Sequence, residues 1–312
     1  MSASSRFAQG WERFAAFCAV KEAATALALS RILIGTTVVA HLLMALWNET
    51  TTTVFVHVAH GGLHSVDWAR AFTTPLGAVL LTGATAACGL GVALGCCTRV
   101  ALVGSWLGMR MISAFSDHAH GGSDALLIDV LFVLMISGCG NALSVDAWRK
   151  GTTTALRLPR LLLVFQLGLL YFFGGLQKIS YGWVPGGDAS ALWFALHQPQ
   201  WTRFDGLPPA WLYPFTQAAT TSAWLFEISA PLLVLAVLLD EVSSSGRVAR
   251  LLRRLQVRAL FLVYGALMHL GIEVLMEVGP YLPVTLSMYP AVLGPVVCQR
   301  LLRRRHSRND SL

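Results

Sequence analysis

Charge is scarce in this chain of 312 residues: Asp, Glu, Lys and Arg supply only 12% of it, against roughly 25% in soluble domains. With 55% hydrophobic residues and a mean hydropathy of +0.61, that scarcity excludes an ordinary soluble globular domain. Cysteine is sparse too. The six cysteines (Cys18, Cys88, Cys96, Cys97, Cys139 and Cys298) form no CxxC pair and no Cys/His spacing, which argues against zinc and a disulfide framework. The adjacent Cys96 and Cys97 read as buried filler. No internal repeat and no separate soluble domain is visible. A basic surface interleaved with aromatics is missing, so the net charge of +7 does not point to nucleic acid. A small-residue cleavage site is also missing, and the first apolar run reads as a retained span rather than a signal peptide.

What the chain has instead is apolar runs of about 20 residues, the length that crosses a bilayer. They fall near 24–47, 76–97, 100–116, 125–143, 161–178, 217–239, 259–279 and 281–298. The expected fold is an all-α polytopic transmembrane bundle of about eight spans, with seven as the alternative count. A segment 1–23 precedes the transmembrane domain 24–298, and a basic tail 299–312 follows it. Cytoplasmic loops should hold the Lys and Arg residues. With the N-terminus inside, 18 of the 23 basic residues fall on the inner side and only Arg70 and Arg203 in outer loops. Arg31, Arg110 and Lys178 lie within spans. Both termini are therefore expected in the cytoplasm, in a bacterial cytoplasmic membrane. The inner segment 240–258 reads as a loop with a basic amphipathic helix, and the tail RLLRRRHSR as a contact for anionic lipid headgroups.

Ionisable residues inside a bilayer are costly and normally face a bundle interior, paired with one another. The candidates are Arg31, His41, Arg110, Asp129, Lys178, Glu227, His269, Glu273 and Glu277. Glu227 and Asp129 read as structural partners for Arg31 or Arg110. His269, Glu273 and Glu277 are spaced i, i+4, i+8 and should line one helix face. The expected orientation puts His41, Arg110, Lys178 and that face in the outer half. His118, His120 and Asp124 of the turn HAHGGSD join them there. A polar pocket open to the outside is expected, with Lys178 at its rim or floor. The long outer loop 180–215 is rich in Trp, Pro and Gly and should carry a short helix near 188–197, either a lid or an interfacial anchor.

Several phrases resemble one family. LYFFGGLQKISYGWVPGGDASALWF is similar to the hallmark of the HTTM proteins, which include the membrane domain of vitamin K-dependent gamma-carboxylase. Tyr171, Phe172, Gly174, Gly175, Leu176, Lys178, Trp183 and Gly186 or Gly187 carry it. SRILIGTTVV resembles the family's Arg-x-x-x-Gly opening, and ALMHLGIEVLMEVGPYLPVTLSMYP its histidine-bearing penultimate helix. HGGSDALLIDVLFVLMISGCGNALSVDAW further resembles SdpB-type proteins, linked to production of a secreted peptide toxin. Two features of the carboxylase have no counterpart: its outer substrate-binding domain, and its Asn-Asn-His stretch before the fourth span, where only histidine is shared.

The resemblance implies a lysine base, Lys178, acting on vitamin K hydroquinone or menaquinol, since a neutral amine accepts a proton where arginine cannot. It implies His269 and His120 as proton relays or oxyanion partners. Arg31 is expected as a structural or anionic anchor, and the pocket read from the span orientation is expected to place His41, Arg110, Asp124, Trp183, Glu227, Glu273 and Glu277 at the substrate. Two functions of different classes follow. One is a carboxylase-like lyase or oxidoreductase acting on a quinol, lipid or peptide. The other is a non-catalytic membrane factor that matures, exports or neutralises a peptide toxin together with a partner protein.

Overall fold

The computed structural model describes residues 3–54, 56, 71–115 and 121–309. His118 and His120 lie outside these residues. Two compact units divide the chain, residues 1–163 with 286–312, and residues 164–285.

In the first unit α1 (Ala3–Cys18) precedes a short strand β1 (Lys21–Ala23), followed by α2 (Thr25–Trp47) and α3 (Thr50–Thr53). Then come α4 (Pro75–Leu94), α5 (Thr98–Ser113), α6 (Gly122–Met135), α7 (Val145–Lys150) and a second strand, β2 (Thr154–Leu156). The unit boundary falls within α8 (Arg157–Gln177). The second unit continues with α9 (Ala191–Leu196), α10 (Tyr213–Ile228), α11 (Ala230–Glu241), α12 (Arg247–Arg254) and α13 (Val257–Leu275). The chain passes through α14 (Tyr281–Leu293) to α15 (Pro295–Asn309).

Helices occupy all eight expected stretches, but among the described residues four of them, α2, α4, α8 and α13, are long and apolar enough to cross a membrane. Counting two bent pairs as one crossing each raises the number to six. The first pair, Ala210–Ile228 with α11, bends by 41°, because Pro231 has no N–H to donate to the carbonyl of Glu227 four residues back. The second pair bends by 100° between α14 and α15, where Gly294 adopts a left-handed φ of +80° ahead of Pro295. α5 and α6, with 16 and 14 residues, are shorter than the roughly 20 that span a bilayer. The composition carried apolar length past the points where α6 is turned aside: Cys139 N–H donates to Ser137 Oγ at 3.1 Å just beyond its end.

The strands qualify the all-α expectation. β1 and β2 pair antiparallel, with Lys21 opposite Leu156 and Ala23 opposite Thr154. Backbone bonds Ala24 N–H to Thr153 O and Arg157 N–H to Val20 O continue the pairing, so groups between helices are satisfied there. Glu22 on β1 accepts both arms of the fully buried Arg160, at 2.6 and 3.0 Å. A bidentate pair of this kind is among the strongest polar contacts a side chain makes.

The core of the first unit runs along α2, where Leu27, Ile34, Val38 and Leu42 are buried against α4 and α6. The Arg-x-x-x-Gly phrase has a physical basis here. A Cβ on Gly35 would lie 2.5 Å from Ala93 N, so only glycine lets α2 approach the backbone of α4 this closely. One turn earlier, Arg31 turns into the C-terminal end of α4. Its guanidinium donates to Val92 O, to Ala93 O at 2.9 Å, to Cys139 O at 3.3 Å and to Leu143 O at 2.6 Å. Arg31 is thus a buried clamp on main-chain carbonyls, and neither Glu227 nor Asp129 is the partner these bonds provide.

Candidate functional site

The second unit assembles its polar residues from four helices and one turn. Tyr171, Gly174 and Gly175 lie on the last turns of α8, and Lys178 follows its final residue, its N–H donating to Gly175 O at 3.2 Å. Glu227 lies one residue before the end of α10. The Gly-Gly pair makes room for that residue. A Cβ on Gly175 would stand 3.1 Å from Glu227 Cβ and 3.0 Å from Ile228, and one on Gly174 would face the Glu227 carboxylate at 3.8 Å. Trp224 Nε1 donates to the carbonyl of Gly175 at 3.1 Å and fixes α10 on α8.

Lys178 Nζ donates to Glu227 Oε1 at 2.5 Å, with the lysine side chain 31% and the glutamate side chain 10% exposed. Glu227 Oε2 is buried without a hydrogen-bond partner among the described residues. The amine also lies over the ring of Trp183, 4.9 Å from its centroid. The tryptophan is put there by a tight turn. Trp183 and Val184 N–H both donate to Ser180 O, and Asp188 N–H donates to Tyr181 O. Gly186 takes φ +99°, and a Cβ on Gly187 would fall 1.8 Å from Tyr181 O, so the Gly-Gly of WVPGG is a steric requirement.

His269 of α13 is 2% exposed. Its Nε2 lies 3.0 Å from the hydroxyl of Tyr171, and its Nδ1 has no partner among the described residues. The Tyr171 ring meets Phe226 edge-on at 4.8 Å, and the His269 ring lies 5.1 Å from Tyr281. A pocket of about 390 Å³ is lined by Leu170, Phe173, Gly174, Gln177, Lys178, Glu227 and Tyr281. It combines aliphatic and aromatic walls with an amine, a carboxylate and a phenol. Such a set offers apolar contact beside hydrogen-bond donors and acceptors.

Lys178, Trp183, Glu227 and His269 therefore belong to one neighbourhood of the second unit. The expected single face of His269, Glu273 and Glu277 does not form. α13 ends at Leu275, Met276 turns extended, and Glu277 is exposed beyond the helix. Its N–H donates to Trp201 O at 2.8 Å, while Glu273 pairs with Arg203 at 2.8 Å. Arg203 also donates from Nε to Met276 O, so these residues tie the loop 201–203 to the end of α13. The extrapolated helical spacing ran past the point where backbone pairing with the loop ends the helix.

Arg31, His41, Arg110 and Asp124 lie in the first unit. His41 Nε2 is 3.1 Å from Asp124 Oδ1, and Asp124 Oδ2 accepts the N–H of Gly121 to cap α6. Arg110 is exposed in the last turn of α5. His120 is outside the described residues. Sequence reasoning passed over Tyr281, although it opens α14 directly after the Gly279-Pro280 stop, and gave Tyr171 no role although it sits in the motif. The short helix expected near 188–197 is α9.

No curated protein and no solved structure matches the chain. The HTTM domain matches residues 20–235, a range that holds Arg31, Tyr171, Lys178, Trp183 and Glu227 and leaves His269 and Tyr281 beyond it. That range covers more than half of the 312 residues, and the chain belongs to the HTTM family of membrane proteins.

Proposed function

We propose that the protein is an enzyme of the membrane that uses Lys178 as a base on a quinol or a related lipid-borne substrate, in a pocket facing the outer side. The observation that carries this reading is the pair of Lys178 and Glu227 in the wall of the 390 Å³ pocket. A proton shared between an amine and a carboxylate can rest on either; with it on Glu227, Lys178 presents a neutral amine that takes one proton from the substrate and becomes an ammonium beside the protonated carboxyl. Trp183 closes one side of the amine, and the unpartnered Glu227 Oε2 supplies an acceptor for a substrate hydroxyl. His269, held by Tyr171, is the second proton-carrying group of the neighbourhood.

Vitamin K hydroquinone or menaquinol fits this donor set. Leu170 and Phe173 match the ring and tail, and the amine, carboxylate and Tyr281 hydroxyl match the two ring oxygens. When bound, such a quinol supplies an acidic hydroxyl and two reducing electrons. Lys178 would take the hydroxyl proton. The distribution of basic residues supports both termini in the cytoplasm, an orientation in which the loop 180–215 and the end of α8 would lie outside.

The test is the quinone content of the purified protein and its oxidation of added vitamin K hydroquinone in nanodiscs, with dissolved dioxygen as the two-electron acceptor. Wild type should retain quinone and oxidise the hydroquinone, and Lys178→Ala and Gly174→Leu should do neither. A wild-type protein that neither retains quinone nor oxidises the hydroquinone would overturn the quinol reading and leave the non-catalytic peptide-toxin factor in its place.

A further inference from the structure

The helix α12 presents three distinct stripes. Ala249 and Leu252 are buried against the rest of the second unit. Next to them Val248, Leu251 and Leu255 form a row in which the side chains are 55%, 55% and 53% exposed. On the far side of that row stand Arg247, Arg250 and Arg254, all exposed. At 100° per residue the apolar row and the arginine row are neighbours, an order that separates α12 from a helix with simple inside and outside faces.

The arginines differ in a telling way. Arg253 and Arg258 both donate to Asp240, at 3.0 and 3.1 Å, and Arg253 also reaches Ser244 O. Arg247, Arg250 and Arg254 have no carboxylate partner among the described residues. Positive charge is therefore neutralised on the packed side and left open beside the exposed leucines. The two helices that flank α12 in sequence, α11 and α13, both belong to candidate membrane crossings. The connection between them must lie at a membrane surface.

We infer that α12 is an interfacial helix that docks onto anionic phospholipid headgroups, with Val248, Leu251 and Leu255 in the acyl boundary and Arg247, Arg250 and Arg254 on the phosphates. The apolar row calls for the lipid and the unpaired arginines call for anionic lipid. Each arginine near a charged membrane surface adds roughly five-fold to the docked population.

Hydrogen exchange of the 247–255 amides measures the docking, with the full chain in nanodiscs of phosphatidylcholine alone or with phosphatidylglycerol. Phosphatidylglycerol should slow exchange at least about ten-fold, and added salt should reverse much of that on the wild type. The triple variant Arg247→Gln/Arg250→Gln/Arg254→Gln should exchange equally in both discs, and Leu251→Asn should exchange fast in both. Equal exchange of the wild type in the two discs would overturn the inference. So would a phosphatidylglycerol effect indifferent to salt, or protection in phosphatidylcholine discs produced by inorganic phosphate alone. Because the salt series uses the wild type, it stands whether or not a variant folds.

Discussion

Replacing Arg31 with Met should undo the first unit of the protein. The guanidinium is fully buried and donates to four main-chain carbonyls, Val92, Ala93, Cys139 and Leu143. Two of them are end-of-helix carbonyls of α4, where a cation is also favoured by the helix dipole. Hydrogen bonds from a charged donor contribute about 1.5–3 kcal/mol each, or roughly 6–12 kcal/mol gross for the set. Burying the guanidinium costs several kcal/mol of hydration, which the hydrophobic Met recovers. The net loss is then about 3–5 kcal/mol, because the Ala93, Cys139 and Leu143 carbonyls lose the guanidinium donor and Val92 O keeps only the N–H of Gly95 at 3.1 Å. Lysine cannot substitute: one ammonium lacks the planar fork that reaches carbonyls on two separate segments. For a unit of this size each kcal/mol lowers the melting point by roughly 2–4 °C, which predicts a fall of about 6–20 °C. The assay is thermal unfolding followed with a thiol-reactive fluorophore, since Cys139 is buried and shares its carbonyl with Arg31. An Arg31→Met or Arg31→Lys protein that melts within about 2 °C of wild type would refute the clamp and restore a role for Arg31 as a ligand anchor.

Burial alone would raise the Asp146 carboxyl, but hydrogen bonds from Thr98 N–H, the Thr98 hydroxyl and Cys97 N–H outweigh it and hold it below the usual carboxylate range. Its stabilisation of the α5 start is present above the unfolded pKa and lost as pH falls through the folded one. Asp146→Asn should therefore melt below wild type at neutral pH, with the gap closing as the pH falls below the usual carboxylate range. For topology, a cysteine at Leu207, which is 76% exposed, should react with an impermeant reagent in intact cells, and one at Ser245 only after permeabilisation. Gly187→Ala should displace the turn that carries Trp183, because its Cβ would meet Tyr181 O at 1.8 Å. Loss of bound quinone with a destabilisation of about 1–3 kcal/mol, read by extraction and melting, is the expected result.

The helices were legible because apolar length is a local property, and each expected stretch is helical. Their ends were not. Pro231, Gly294 and the backbone pairing of Glu277 with Trp201 decide where helices break, and the last of these depends on residues about 75 positions apart. Lys178 and Trp183 were legible as a motif, and the turn geometry of Gly186 and Gly187 explains their spacing. The partner of Lys178 was not. Glu227 stood out as an intramembrane carboxylate, but its pairing with Lys178 rather than Arg31 follows from the packing of α10 on Gly174 and Gly175. Tyr281 carried no charge to attract notice, and it enters the site through the chain reversal after Leu275.

The central claim is that the Lys178 amine accepts a proton, and the most direct measurement of it is hydroquinone oxidation by Lys178→Arg. Arginine can still pair with Glu227 and lie over Trp183, so the contacts that join the end of α8 to α10 are kept. It cannot become a neutral base. In nanodiscs with vitamin K hydroquinone, Lys178→Arg should melt close to wild type yet lose at least about a hundred-fold in oxidation rate, the scale of a general base. An arginine variant that oxidises the hydroquinone at the wild-type rate would contradict the base assignment and reduce Lys178 to the structural partner of Glu227.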